Sequence, residues 1–154
     1  QVERIQEDIE KSVKAGAQII LDGKVDGTLM RPIVIDQVTD DMPIAANEIF
    51  GPVAPILRFK TEVEALNIAN SKNFGLSGAL HTTNIEKGVA FARKVETGMI
   101  HINDQPVNDE PNVPFGGEKG SGIGRFNGEF ILEEFTRLQW VSIQHEDRDY
   151  APFA

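Results

Sequence analysis

Apolar residues recur at Val2, Ile5, Ile9 and Val13, the spacing of one helical face, and Gly16 reads as the stop. The short apolar run at residues 17–21, closed by Asp22-Gly23, predicts a strand, and residues 22–27 read as a polar turn with two glycines. Residues 31–35 predict a second strand, with Pro32 marking an edge or a strand start. A third is expected over residues 53–59. Thr61 with Glu64 then forms a capping box that opens a helix running to about Asn70. A fourth strand is expected over residues 76–82, near Gly75 and Gly78. Thr83 with Glu86 reads as a second capping box, before a helix with Ile85, Val89 and Ala92 on one face and Gly98 at its end. Residues 99–103 predict a fifth strand, residues 128–135 a short helix, and the alternation at residues 138–144 a final strand.

From residue 53 to residue 103 the order is strand, helix, strand, helix, strand. That order favours an α/β fold with parallel strands joined by right-handed crossover helices. The apolar strands suit a sheet covered on both faces. Residues 104–127 lack periodicity and hold three prolines and five glycines; between well-patterned elements, so long a loop reads as functional. No internal repeat and no low-complexity segment is evident.

The 154 residues fit one domain of ordinary globular composition, 40% hydrophobic and 25% charged. A net charge of −9 without a basic stripe argues against nucleic acid and against an anionic membrane. No apolar run approaches the ~20 residues that span a bilayer, and no stretch has the order of a signal peptide, so the expected compartment is the cytoplasm. The absence of cysteine excludes disulfides, thiolate metal sites and a cysteine nucleophile within these residues. His81, His101 and His145 do not form a metal spacing, and no metal is expected. The chain opens at Gln1 with no capping residue before Val2, so it reads as beginning inside an element, as a fragment would.

Two stretches carry candidate chemistry. In Glu48-Ile49-Phe50-Gly51-Pro52-Val53, Gly51-Pro52 makes a stiff turn before a strand. A carboxylate there can accept hydrogen bonds from vicinal hydroxyls such as those of a ribose, and an aromatic two residues on can press against a flat ring. Spacing alone favours a surface acid and a core Phe over these ligand contacts. The second stretch is Phe115-Gly116-Gly117-Glu118-Lys119-Gly120-Ser121-Gly122-Ile123-Gly124-Arg125. Dense glycine permits positive φ and close approach of other chain. The spacing fits neither a dinucleotide fingerprint nor a phosphate-binding loop, so a flexible surface loop stays open. Ser121 has no base in local sequence to activate it.

Together these stretches resemble the C-terminal part of the NAD(P)-dependent aldehyde dehydrogenases. Gly98 and Asn103, with four residues between them, resemble that family's glycine-to-asparagine step, and Asn73-Phe74-Gly75-Leu76-Ser77 resembles its turn into a strand. The resemblance implies the parallel-sheet second half of the catalytic domain over residues 1–137, an oligomerisation strand at residues 138–144, and a tail at residues 145–154. It implies that Glu48 holds the nicotinamide ribose of NAD or NADP, that Phe50 contacts the nicotinamide side, and that Phe115 lines the substrate funnel. Asn103, Gly116, Gly117, Lys119, Gly122, Gly124 and Arg125 would be structural, with Arg125 a buried or interface ion-pair partner.

The implied parent reaction has a cysteine thiolate attack an aldehyde, passes hydride to NAD(P)+, and hydrolyses the thioester with a Glu-activated water. Neither the cysteine nor that Glu lies in these residues, so no catalytic residue is expected here. The rest of the enzyme is an implied partner, as is a second copy in a homodimer or homotetramer. Residues 101–110 look most like the benzaldehyde, salicylaldehyde and vanillin dehydrogenase group. Two positions depart from the pattern: Asn47 stands where a second acid is common, and Arg137 where an acid often faces the motif Arg. The alternative reading is a non-catalytic module that kept an oligomerisation surface.

Overall fold

The computed structural model describes residues 1–148. Helix α1 (Val2–Lys14) forms on the predicted spacing, without a side-chain cap, and ends just before Gly16, whose φ of 113° turns the chain away. Strand β1 (Gln18–Leu21) follows. The stretch read as a polar turn instead enters a small hairpin, β2 (Val25–Asp26) with β3 (Leu29–Met30), turning through Gly27. Strand β4 (Ile33–Asp36) pairs antiparallel with β1 and parallel with β5 (Val53–Pro55). Between them lies the one-turn helix α2 (Pro43–Ala46).

The core forms where α1 and α2 cover this sheet. Ile5, Ile9, Ile33, Ile35, Val38, Met42 and Ile44 are buried together, and Ile35 and Ile44 are almost wholly out of solvent. Burying such side chains stabilises by about 1.5–3 kcal/mol each. Below the same sheet's outer end, Arg58 donates to Asp36 from Nε at 3.0 Å and holds that carboxyl below its usual range.

The second half is built from α3 (Glu62–Asn70), β6 (Phe74–Gly75), β7 (Ser77–Leu80), α4 (Ile85–Ala92), β8 (Met99–Ile102), β9 (Glu118–Lys119) and α5 (Phe130–Phe135). Thr61 caps α3 through the Glu64 amide at 3.2 Å, while the Glu64 carboxylate accepts from the Lys60 amide. The cap of α4 is Asn84, accepting from the Lys87 amide at 2.9 Å, one residue after the predicted Thr83. Asn competes well for that position, and Thr82 Oγ1 already accepts from the Asn84 amide. Strands β7 and β8 run parallel with α4 as their crossover, and β6 pairs antiparallel with β9.

Several expectations change. The fold is mixed α/β, with two separate parallel pairs instead of one parallel sheet. Strand β5 spans only Val53–Pro55, with the Ile56 N–H still donating to Ile35 O at 2.7 Å just beyond it. Pro32 sits just before β4, the strand-start alternative, and that strand is central in its sheet. Strand β1 is exposed along its length, so the first sheet is not covered on both faces. Residues 138–144 form no strand within the described residues, and Leu138 and Trp140 are 98% and 92% exposed. A strand needs a neighbour to satisfy its backbone, and among the described residues none pairs with this stretch. Of the predicted tail, residues 149–154 lie outside the described residues.

Candidate functional site

Glu48, Ile49 and Phe50 follow α2 as an extended link, and the backbone at Phe50 turns left-handed with φ 46°. For a bulky residue that costs on the order of 1–2 kcal/mol, so something must hold it. Helix α1 does. Arg4 Nη2 donates to the carbonyls of Glu48 at 2.8 Å and Ile49 at 2.7 Å. Gln1 Nε2 donates to Ile49 O at 2.6 Å and Phe50 O at 3.1 Å. Hydrogen bonds to a charged donor contribute roughly 1.5–3 kcal/mol each, enough to offset the strain. Gly51 packs closely at the next position: a Cβ there would lie 2.4 Å from Ile5 Cδ1, so the end of that side chain would have to shift.

The turn presents its side chains outward. The Phe50 ring is 77% exposed and borders an open cleft of about 790 Å³, walled by Val2 and Ile5 of α1 and by Leu29 and Met30 of the hairpin. Glu48 is exposed, and among the described residues its carboxylate makes no hydrogen bond or ion pair. A free carboxylate and, two residues on, an exposed ring are groups that can serve a hydroxylated ribose carrying a flat heterocycle, although Glu48 does not itself line the cleft that Phe50 borders. Both side chains are thus free to meet such a ligand.

The glycine-rich stretch folds as a packed knot. Phe115 and Phe126 exchange backbone hydrogen bonds at 2.9 and 2.8 Å, with β9 between them. A Cβ on Gly98 would fall 1.7 Å from Gly116 O, so these two backbones touch. Gly124 has φ 75°, and a Cβ there would meet the Glu134 carboxylate at 2.1 Å. Gly117 is buried, and Gly122 is exposed.

Arg125 crosses this knot. Its Nη1 donates to Gly117 O at 3.0 Å and Gly124 O at 2.9 Å, and its Nη2 pairs with Glu118. The partner carboxylate thus comes from inside the motif, a position the sequence reading overlooked. Lys119 Nζ donates to the carbonyls of Asn70 at 2.7 Å and Lys72 at 3.0 Å, closing the end of α3, and pairs with Glu96 at 2.6 Å. Asn103, at φ 60°, exchanges two hydrogen bonds with the Thr82 backbone, at 2.7 and 2.9 Å.

Phe115 is half-buried and does not border the cleft beside Phe50. The structure thus gathers Arg4, Glu48 and Phe50 in one place and leaves Phe115 with the knot. Ser121 Oγ accepts from the Gly75 amide at 2.9 Å, a structural use. No group of three or more His, Cys, Asp or Glu among the described residues is placed to hold a metal, and no helix is long and apolar enough to cross a membrane.

Sequence reasoning missed Arg4, Asp8 and Gln1. The available signal was a polar stripe, Arg4, Asp8 and Ser12, every fourth residue beside the apolar face of α1.

Residues 1–141 match the aldehyde dehydrogenase family. The chain is 51% identical over 150 residues to a benzaldehyde dehydrogenase of Bacillus subtilis, covering 97% of this chain and 31% of that protein. A salicylaldehyde dehydrogenase from Pseudomonas putida, solved with salicylaldehyde, superposes with a TM-score of 0.91 at 35% identity, over 96% of this chain and 31% of the other. A Mycobacterium tuberculosis aldehyde dehydrogenase, solved with NAD+, superposes with a TM-score of 0.81 at 38% identity, over 88% and 29%. The chain thus spans about a third of the length of these relatives.

Proposed function

The chain belongs to the aldehyde dehydrogenase family, and from that premise we propose that it is the nicotinamide-facing portion of an enzyme oxidising an aromatic aldehyde to its carboxylic acid. The carrying observation is the rigid turn that offers a free Glu48 carboxylate and an outward Phe50 ring. NAD(P)+, when bound, would accept the hydride. Glu48 would take both ribose hydroxyls, and Phe50 would support the nicotinamide from one side. Phe115 would line the substrate entrance, although its contacts within these residues are those of the knot. The nucleophilic cysteine and the base that activates water would come from the rest of the enzyme.

Relatives named for benzaldehyde and salicylaldehyde support the aromatic substrate class. In the whole enzyme, benzaldehyde, salicylaldehyde and vanillin are expected to be oxidised with higher kcat/KM than short aliphatic aldehydes. The check is reduced-nicotinamide formation with NAD+ and NADP+ in parallel. A preference for aliphatic aldehydes would overturn the substrate class.

We also place residues 1–137 in the second half of the catalytic domain, and residues 138–144 as a strand that adds to a neighbouring subunit of a dimer or tetramer. Its support is the unpaired, apolar run carrying Leu138, Trp140, Val141 and Ile143, all at least 70% exposed. Isolated chain is expected to self-associate by light scattering, and deletion of residues 138–148 to abolish this. A clean monomer of the undeleted chain would count against the assignment.

A further inference from the structure

We propose that Arg4, aligned by Asp8, is a positioning residue for hydride transfer: it holds the Glu48–Phe50 turn in the shape that meets the cofactor. The inference rests on the reading of Glu48 and Phe50 given above.

Helix α1 carries Arg4, Asp8 and Ser12 at four-residue intervals, so the three share one face. Each grips the segment from Ile44 to Phe50. Ser12 Oγ donates to Asp8 O at 2.7 Å and accepts from the Ile44 amide at 3.2 Å. Asp8, only 7% exposed, takes Asn47 Nδ2 at 3.2 Å and Arg4 Nη1 at 3.5 Å. Arg4 then spends its other nitrogen on the Glu48 and Ile49 carbonyls.

A planar guanidinium can face the carboxylate and the carbonyls at once; an ammonium cannot hold that fork. The same contacts account for Asn47. An acid there would set a like charge against the buried Asp8, whereas the amide donates to it. Removing Arg4 leaves the Glu48 carbonyl without its donor and the Ile49 and Phe50 carbonyls held by Gln1 alone, which loosens the left-handed backbone at Phe50. Its ring and the Glu48 carboxylate would then lose their fixed direction, at a reacting centre where misplacement by about 1 Å costs up to ~100-fold in rate.

The test uses the whole enzyme with Arg4→Met, Arg4→Lys, Glu48→Gln and the Arg4→Met/Glu48→Gln pair. Single-turnover hydride transfer, cofactor Kd and thermal midpoint are measured for each. Arg4→Met is expected to slow hydride transfer about tenfold with Kd changed less than about threefold, and Arg4→Lys to fall between it and wild type. The paired variant should be little slower than the slower single one, because both act through one turn. If Arg4→Met folds poorly, Asp8→Asn and Arg4→Lys are read on the same scale. A wild-type rate per cofactor-binding site in the folded Arg4 and Asp8 variants overturns the proposal, as does a paired effect equal to the product of the singles. In either case Glu48 keeps its role if Glu48→Gln alone is slow. A wild-type rate in Glu48→Gln removes the underlying reading, and this inference with it.

Discussion

Taken alone, the 154-residue chain is expected to oxidise no aldehyde with either NAD+ or NADP+. The reaction needs a nucleophile that forms a covalent adduct before hydride can leave, and thiolate chemistry has no source in a sequence without cysteine. The nearest hydroxyl in a motif, Ser121, is committed to the Gly75 amide, and among the described residues no histidine bonds to it. The cofactor would also meet only one of its contact surfaces here, the turn at Glu48 and Phe50. Together these losses should lower the rate on the order of a million-fold or more against an intact enzyme, below ordinary detection. Carboxylate product and reduced nicotinamide should both be absent after long incubation of pure chain. Turnover that follows chain concentration would sink the view that these residues are a supporting part of the site.

Glu48→Gln in the whole enzyme should slow hydride transfer by about 10- to 100-fold, the equivalent of losing roughly 1.5–3 kcal/mol from a charge-assisted hydrogen bond. A carboxylate accepts from two vicinal hydroxyls at once; an amide accepts with one oxygen and presents donors on the other side. The remainder of the dinucleotide would be held by the rest of the enzyme, so cofactor Kd should move by a few-fold at most. Rate would fall more than affinity, the pattern of a contact that orients the reacting ring. Rapid single-turnover measurement with saturating cofactor separates the two. An unchanged rate would refute the assignment, and a Kd change as large as the rate change would make Glu48 a plain binding residue.

Both expectations start from motifs that could be read in order along the chain. Helices α1, α3 and α4, strands β1, β4 and β8, and the stop at Gly16 were legible because each is written in a window of about a dozen residues. The Asn103 link was legible too, since a short amide tying a loop to nearby backbone is a local device. The α4 cap was misplaced by one residue because Thr83 and Asn84 are both competent caps. Only the contact with Thr82 separates them.

The partner of Arg125 was missed for the opposite reason. Glu118 lies seven residues before it, and only the knot through Gly117 and Gly124 brings the two together. Residues 138–144 show the same limit: alternation announces a strand, but a strand exists only beside another.

By itself the sequence determined most of the element order and the family, and it singled out Glu48 and Phe50 as the residues proposed to face a ligand. The tertiary structure decided which way those residues point. The left-handed turn at Phe50 is held by Arg4 and Gln1, 44 to 49 residues away along the chain. No local propensity favours that backbone; it persists because donors from α1 satisfy carbonyls that would otherwise face water, and such pairing is set by packing across the fold.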